Sequence, residues 1–231
     1  MKRRAFIGGG MAAILASRRA PAFCIAMRNG MMRPSAPPTP PLPYDAEVEY
    51  LESTGTQWID TGINPQNAPT IVADMQILNT FDRDYFGNTN VGVNGGSIFI
   101  VDFSYYWLYY YRYASSTSVR VEYQSQGNRE LWSIGKEVSV DGVLKYTSPN
   151  TYVHDANQTN IFIFKSGRGN ASTFSLFSFK LYDGSFLVRD MIPVRFTNEL
   201  GQNEGAMYDR VSDELFRNAG TGAFTIGPDK S

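Results

Sequence analysis

The sequence predicts an all-β protein whose strands pack as two antiparallel sheets. Three observations carry that expectation. From residue 44 onward, helical periodicity of apolar residues is nearly absent. Its place is taken by short β-branched and aromatic runs, punctuated by Gly, Asn, Asp and Pro. The runs follow one another closely with no helical pattern between them, which argues against the crossover helices a parallel sheet needs.

The chain divides into three parts. Residues 1–22 resemble a twin-arginine export signal: Arg3 and Arg4 precede Phe6 and Ile7, and a weakly apolar, glycine-rich run continues to Ala16. That run is shorter than the roughly 20 apolar residues a membrane span requires, so no stable insertion is expected once the segment is removed. Arg18 and Arg19 follow it, a placement typical of such signals. Ala20-Pro21-Ala22 offers a small-x-small cleavage pattern ahead of Phe23, with rivals near residue 17 and near Ala26. Cys24 follows Phe23 rather than a small residue, so it reads as an accidental cysteine and not a lipidation site. Residues 23–43 form a linker. Six of the eleven residues from Arg33 to Pro43 are proline, a composition that favours an extended, semi-rigid spacer. The expected location is the periplasm, the cell surface or the medium.

Residues 44–231 are the expected sandwich. Strands are read at about 47–53, 56–63, 70–78, 84–88, 97–103, 106–113, 118–124, 129–134, 136–141, 143–147, 160–165, 173–182, 186–195, 205–209, 214–217 and 223–226. Two hairpins carry the strongest turn signal, Asp141-Gly142 and Asp183-Gly184, because Asp-Gly tolerates the positive φ of a tight turn.

Composition limits the function. All 22 acidic residues lie from Asp45 onward, whereas seven of the 21 Lys and Arg lie in the first 33 residues. The segment from Tyr44 therefore holds fourteen basic against twenty-two acidic residues, a net charge of −8. That balance argues against nucleic acid or an anionic membrane as its partner. One Cys and one His allow no intramolecular disulfide and no ordinary zinc site. Stability must come from the core, for which 14 Tyr, 15 Phe and 3 Trp supply the material.

Three separated stretches carry a resemblance. They are Glu49-Tyr-Leu-Glu-Ser-Thr-Gly-Thr-Gln-Trp-Ile-Asp-Thr-Gly62, Phe179-Lys-Leu-Tyr-Asp-Gly184 through Leu187-Val-Arg-Asp-Met-Ile-Pro193, and Met207-Tyr-Asp-Arg-Val211 with Asn218-Ala-Gly-Thr-Gly-Ala-Phe224. Together they are similar to laminin-G-like jelly-roll domains of the concanavalin A-like superfamily, a group found in exported and phage-associated proteins of gut bacteria. The resemblance implies a curved two-sheet jelly roll whose relatives bind carbohydrate, bind protein or hydrolyse polysaccharide. It fixes a fold more firmly than a function.

The candidate ligand site lies in the run Tyr105-Tyr-Trp-Leu-Tyr-Tyr-Tyr-Arg-Tyr113. Strand alternation separates Trp107, Tyr109 and Tyr111 from Tyr106, Leu108 and Tyr110. The first set is expected to form an aromatic platform for a sugar and the second to line the core, although both are aromatic enough to exchange roles. No catalytic residue is assigned. Asp45, Glu47 and Glu49 alternate along one face, but at the start of the first strand rather than on a central one, where the superfamily's glucanases carry their acids. His154-Asp155 falls in a loop and no Gly-x-Ser-x-Gly elbow exists. No metal or cofactor is assigned either: Asp82 to Asn90 offers oxygen ligands but lacks a terminal bidentate acid, and reads as turn-forming. Trp58, Tyr50, Ile59, Ile63, Phe174, Leu176, Ile161 and Ile163 are expected in the core. Arg189-Asp190 and Asp209-Arg210 are expected to close the C-terminal strands onto the sandwich, and Asn218 to Gly222 to form a turn. The expected function is a non-catalytic carbohydrate-binding or adhesion module. A protein-interaction subunit of a surface or phage-like assembly is the alternative, and a glycoside hydrolase or lyase relative the third.

Overall fold

The computed structural model describes residues 41–78, 83–88, 98–102, 108–113, 119–122, 127–154, 158–165 and 171–231, and for 83, 98–102, 108–113 and 119–122 the backbone alone. Residues Pro41–Ser231 form one compact unit. Among the described residues there is no helix, and every ladder is antiparallel.

The larger sheet runs in the order β11 (Val143–Thr147), β10 (Glu137–Val140), β9 (Arg129–Ile134), β4 (Pro69–Ile77), β13 (Phe174–Asp183), β14 (Phe186–Thr197), β15 (Asn203–Asp209), β16 (Glu214–Phe216). Three short strands fill gaps beside it. β1 (Ala46–Glu47) pairs with the end of β14, β2 (Leu51–Glu52) pairs with the start of β13, and β17 (Thr225–Ile226) pairs with β2. The smaller sheet runs β3 (Ile59–Asp60), β12 (Phe162–Ile163), β5 (Arg83–Gly87), β6 (Ile98–Asp102), β7 (Leu108–Tyr113), β8 (Val119–Glu122).

The alternation that identified the strands also places the core. Along β4, Ile71, Ala73, Met75 and Ile77 are fully buried, while Thr70, Val72, Asp74 and Gln76 are half-buried. These residues meet Trp132 and Ile134 of β9, and Phe174, Leu176, Phe179 and Leu181 of β13. The smaller sheet closes over them with Ile59, Tyr85, Phe86 and Ile163. Ring contacts join the two layers: Tyr85 and Phe86 lie edge-on to Phe174 at 5.4 and 5.5 Å, and Phe86 lies 5.6 Å from Phe179. Each such pair adds about 0.5–1.5 kcal/mol beyond the area it buries. Phe164 sits at φ 68°, a left-handed conformation costing about 1–2 kcal/mol. Its ring is fully buried, 4.4 Å from Phe174 and 5.2 Å from Phe224, and burial contributes about 1.5–3 kcal/mol in return.

The two hairpins differ from each other. Asp141 and Gly142 take φ 49° and 76° between paired Val140 and Val143, the mirror-image turn expected from Asp-Gly. In the second, Asp183 pairs with Phe186, so the two-residue loop is Gly184-Ser185, with Gly184 at φ 63°. The turn shifts by one because the Asp183 carboxylate is occupied elsewhere, accepting from the backbone N–H of Gln66 at 3.2 Å and Asn67 at 2.6 Å. The strand expected over 56–63 contracts to Ile59–Asp60. Ser53, Thr54 and Gln57 explain this: the Gln57 Oε1 accepts from Ser53 Oγ, Thr54 Oγ1 and the Thr54 N–H, which folds residues 53–57 into a closed turn.

Candidate functional site

The three resemblance-bearing stretches converge in space, and most of their polar groups satisfy backbone rather than face solvent. Arg189 donates from Nε to the Thr61 carbonyl at 2.9 Å and from Nη1 to Asp209 Oδ2 at 3.3 Å. Asp209 is fully buried and also accepts from the N–H groups of Asp190, Val211 and Ser212 and from Ser212 Oγ. Arg189 joins Asp209 of β15 to the Thr61 carbonyl after β3, a cross-pairing the sequence did not specify. Arg210 pairs with Glu47, and Asp190 with Lys180. The Asn218–Gly222 segment forms the expected turn and lies across residues 56–58. Its Asn218 Oδ1 accepts from the Trp58 and Gly220 N–H groups, while Ala219 and Thr221 donate to the Trp58 and Thr56 carbonyls. Gly220 is required there, because a Cβ would lie 2.0 Å from the Thr56 oxygen.

The smaller sheet's register sorts its residues into rows. One row crosses all six strands through Ile59, Ile163, Phe86, Ile100, Tyr111 and Val119. Directly paired residues share a sheet face, and Ile59, Ile163 and Phe86 are fully buried. The adjacent row, on the opposite face, passes through Asp60, Phe162, Gly87, Phe99 and Arg112. Val101, Tyr110 and Arg120 follow in the next row of that face. Tyr109 shares the row of Asp102 and Val121, on the face of Tyr111. Of the sequence's candidates, Trp107 lies outside the described residues, and Tyr109 and Tyr111 are described by backbone only.

Phe162 is half-buried, as is Trp58, which meets it edge-on at 5.0 Å. Lys165 places its ammonium 4.7 Å from the centre of the Trp58 ring. Trp58 and Ile63, expected in the core, instead lie half-buried at its margin, and Tyr50 is half-buried as well. The expected core residues Ile59, Phe174, Leu176, Ile161 and Ile163 are fully buried.

A cleft of about 530 Å³ opens on the other sheet, between the start of β15 and the loop after β16. Gln202, Asn203 and Glu204 form one wall, and Arg217, Asn218, Gly220 and Gly222 the other. The Arg217 guanidinium lies 4.5 Å over the buried Phe196 ring, and Glu204 accepts from Asn198 Nδ2. The sequence signal for this cleft is the Gly-rich Asn218–Gly222 segment, which sequence reasoning recognised only as a turn.

The remaining polar candidates have structural partners. Asp45 accepts from Thr197 Oγ1, and Glu47 pairs with Arg210 and Lys230. His154 donates from Nδ1 to the Pro65 carbonyl at 2.9 Å, and Asp155 lies outside the described residues. Within 82–90 the backbone from Arg83 to Gly87 is strand β5, and the Asn88 amide donates to Gln158 Oε1. Asp82, Thr89 and Asn90 lie outside the described residues.

Compared with family models, curated proteins and solved structures, the chain gives no match.

Proposed function

We propose that this chain is exported and that its β-sandwich is a non-catalytic carbohydrate-binding or adhesion module. The proposed topology is a jelly roll of the concanavalin A-like, laminin-G-like kind, on the strength of the three sequence stretches and two packed antiparallel sheets. The observation that carries the binding reading is the row Asp60, Phe162, Gly87, Phe99, Arg112. It places a glycine between two phenylalanines, with charged residues at both ends. Aromatic rings offer a stacking surface to sugar C–H groups and charged groups bind hydroxyls, while Gly87 between them is itself buried. Trp58 extends this surface beside Phe162. Trp107, Tyr109 and Tyr111 are the sequence's choice for the ligand face; Phe162, Phe99 and Tyr110 are the choice the register favours.

The test is a glycan array with the protein and its Phe162→Ala variant. Binding by the parent that is lost in a folded variant supports the reading, and no bound glycan in the array overturns it. The protein-interaction alternative is favoured by one observation: Leu131, Val143 and Leu144, around the hairpin of β10 and β11, are 48–56% exposed.

A further inference from the structure

The cleft between β15 and the Asn218–Gly222 loop holds a cation that the fold does not use. Among the described residues Arg217 makes no hydrogen bond or ion pair; its one specific contact is the face of Phe196. Contact with the ring leaves the N–H donors of this exposed guanidinium available to a ligand. A planar guanidinium held in this way suits a carboxylate, which it can bind through two parallel hydrogen bonds.

The rest of the cleft narrows the ligand. Glu204 sits in the same cleft and is directly paired to Phe196, so the local charge is balanced rather than strongly positive. That disfavours a doubly charged phosphate and favours a single negative charge accompanied by hydrogen-bond donors. Gln202 and Asn203 add amides that both donate and accept. Gly220 and Gly222 contribute no side chains, and the apolar part of the lining is limited to Ala223 and the buried Phe224. The volume, about 530 Å³, lies within the range of about 300–1,000 Å³ common for small-ligand sites.

We propose that this cleft binds a carboxylate-bearing saccharide of the uronic acid class, with Arg217 holding the carboxylate and Glu204, Gln202 and Asn203 contacting hydroxyls. The site is separate from the sheet face proposed above and does not depend on it.

The experiment is calorimetric titration of the full chain with tri-galacturonate, its methyl ester and neutral galactotriose. The acid should bind, the ester should bind at least tenfold more weakly, and Arg217→Gln should lose about tenfold or more toward the acid with an unchanged melting temperature. Arg217→Lys should recover only part of that loss, because an ammonium cannot form the paired hydrogen bonds. Equal affinity for acid and ester overturns the proposal, as does undiminished binding in Arg217→Gln. Absence of binding to galacturonate and glucuronate oligosaccharides also overturns it, as does preference for a peptide C-terminus. A glycan whose binding is lost in Phe162→Ala but kept in Arg217→Gln overturns the cleft and leaves the sheet face standing. Acid-dependent binding lost only in Arg217→Gln supports the cleft alone.

Discussion

Arg189 reaches the fully buried carboxylate of Asp209 at 3.3 Å while its Nε holds the carbonyl of Thr61 at 2.9 Å. One side chain thus links the segment after β3 to the hairpin of β14 and β15, joining stretches about 130 residues apart in the chain. The energetic weight rests on Asp209. Its two oxygens accept five hydrogen bonds, three of them from backbone N–H groups.

Asp209→Ala is therefore expected to lower stability by about 3–5 kcal/mol, since it removes the carboxylate opposite the mostly buried Arg189 and leaves several donors uncompensated. Asp209→Asn keeps one acceptor oxygen and should fall between that variant and the parent. Urea unfolding measures both. A loss below about 1 kcal/mol in the alanine variant would mean that the turn closes without the carboxylate.

Gly220→Ala should cost about 1–3 kcal/mol, because its Cβ would approach the Thr56 oxygen to 2.0 Å and Trp58 Cδ1 to 2.7 Å. The clash lies beside an indole, so the variant should also change tryptophan fluorescence. Gly142→Ala is the comparison. Its Cβ meets nothing within 4 Å, but φ is +76°, so a loss of about 1–2 kcal/mol is expected with fluorescence unchanged.

The two rows of β7 make opposite predictions. Tyr111 is in register with fully buried Phe86, Ile163 and Ile59, so Tyr111→Ala should destabilise by about 3–5 kcal/mol. Tyr110→Ala, on the other face, should destabilise less than Tyr111→Ala and weaken glycan binding. Denaturation and the glycan array read the two effects. The reverse outcome would restore Trp107, Tyr109 and Tyr111 as the ligand face.

Alkaline pH should weaken the cluster on the outer side of β14 and β15. Hydrogen bonding to Asp213 holds the Tyr208 phenol above its usual range, and burial together with Glu47 does the same for Tyr44, whose ring lies 4.9 Å from Tyr208. A raised phenol pKa means that the folded state favours the protonated form. The associated stability is complete below the ordinary phenol value of about 10 and is lost as pH rises through the higher folded value. Phenolate absorbance should show two late-titrating tyrosines. The Tyr44→Phe/Tyr208→Phe protein should lose less stability than the parent above pH 10, and an identical alkaline loss would contradict the assignment.

Replacing Arg3 and Arg4 together by Lys should hold the precursor in the cytoplasm, as twin-arginine export tolerates that change poorly. Fractionation of cells expressing the two forms decides it. Normal export of the double variant would remove the signal assignment.

By itself the sequence determined the all-β class and the approximate position of nearly every strand, because period-two alternation and Gly, Asn and Asp punctuation are local properties of the chain. It determined the Asp141-Gly142 turn for the same reason, since both residues tolerate positive φ wherever they occur. Tertiary structure decided what depends on partners far away in the chain. Alternation separated Tyr110 from Tyr111, and the register then places the Tyr111 backbone, through Ile100, in the row of Phe86. The loop after Asp183 moved by one residue because Gln66 and Asn67 engage its carboxylate. Arg189 chose Asp209 over its neighbour Asp190, since the hairpin register brings the buried carboxylate across the strand. The Gly-rich Asn218–Gly222 segment signals only one wall of the cleft, because two segments and the ring beneath Arg217 form it only once β14, β15 and the following loop have packed together.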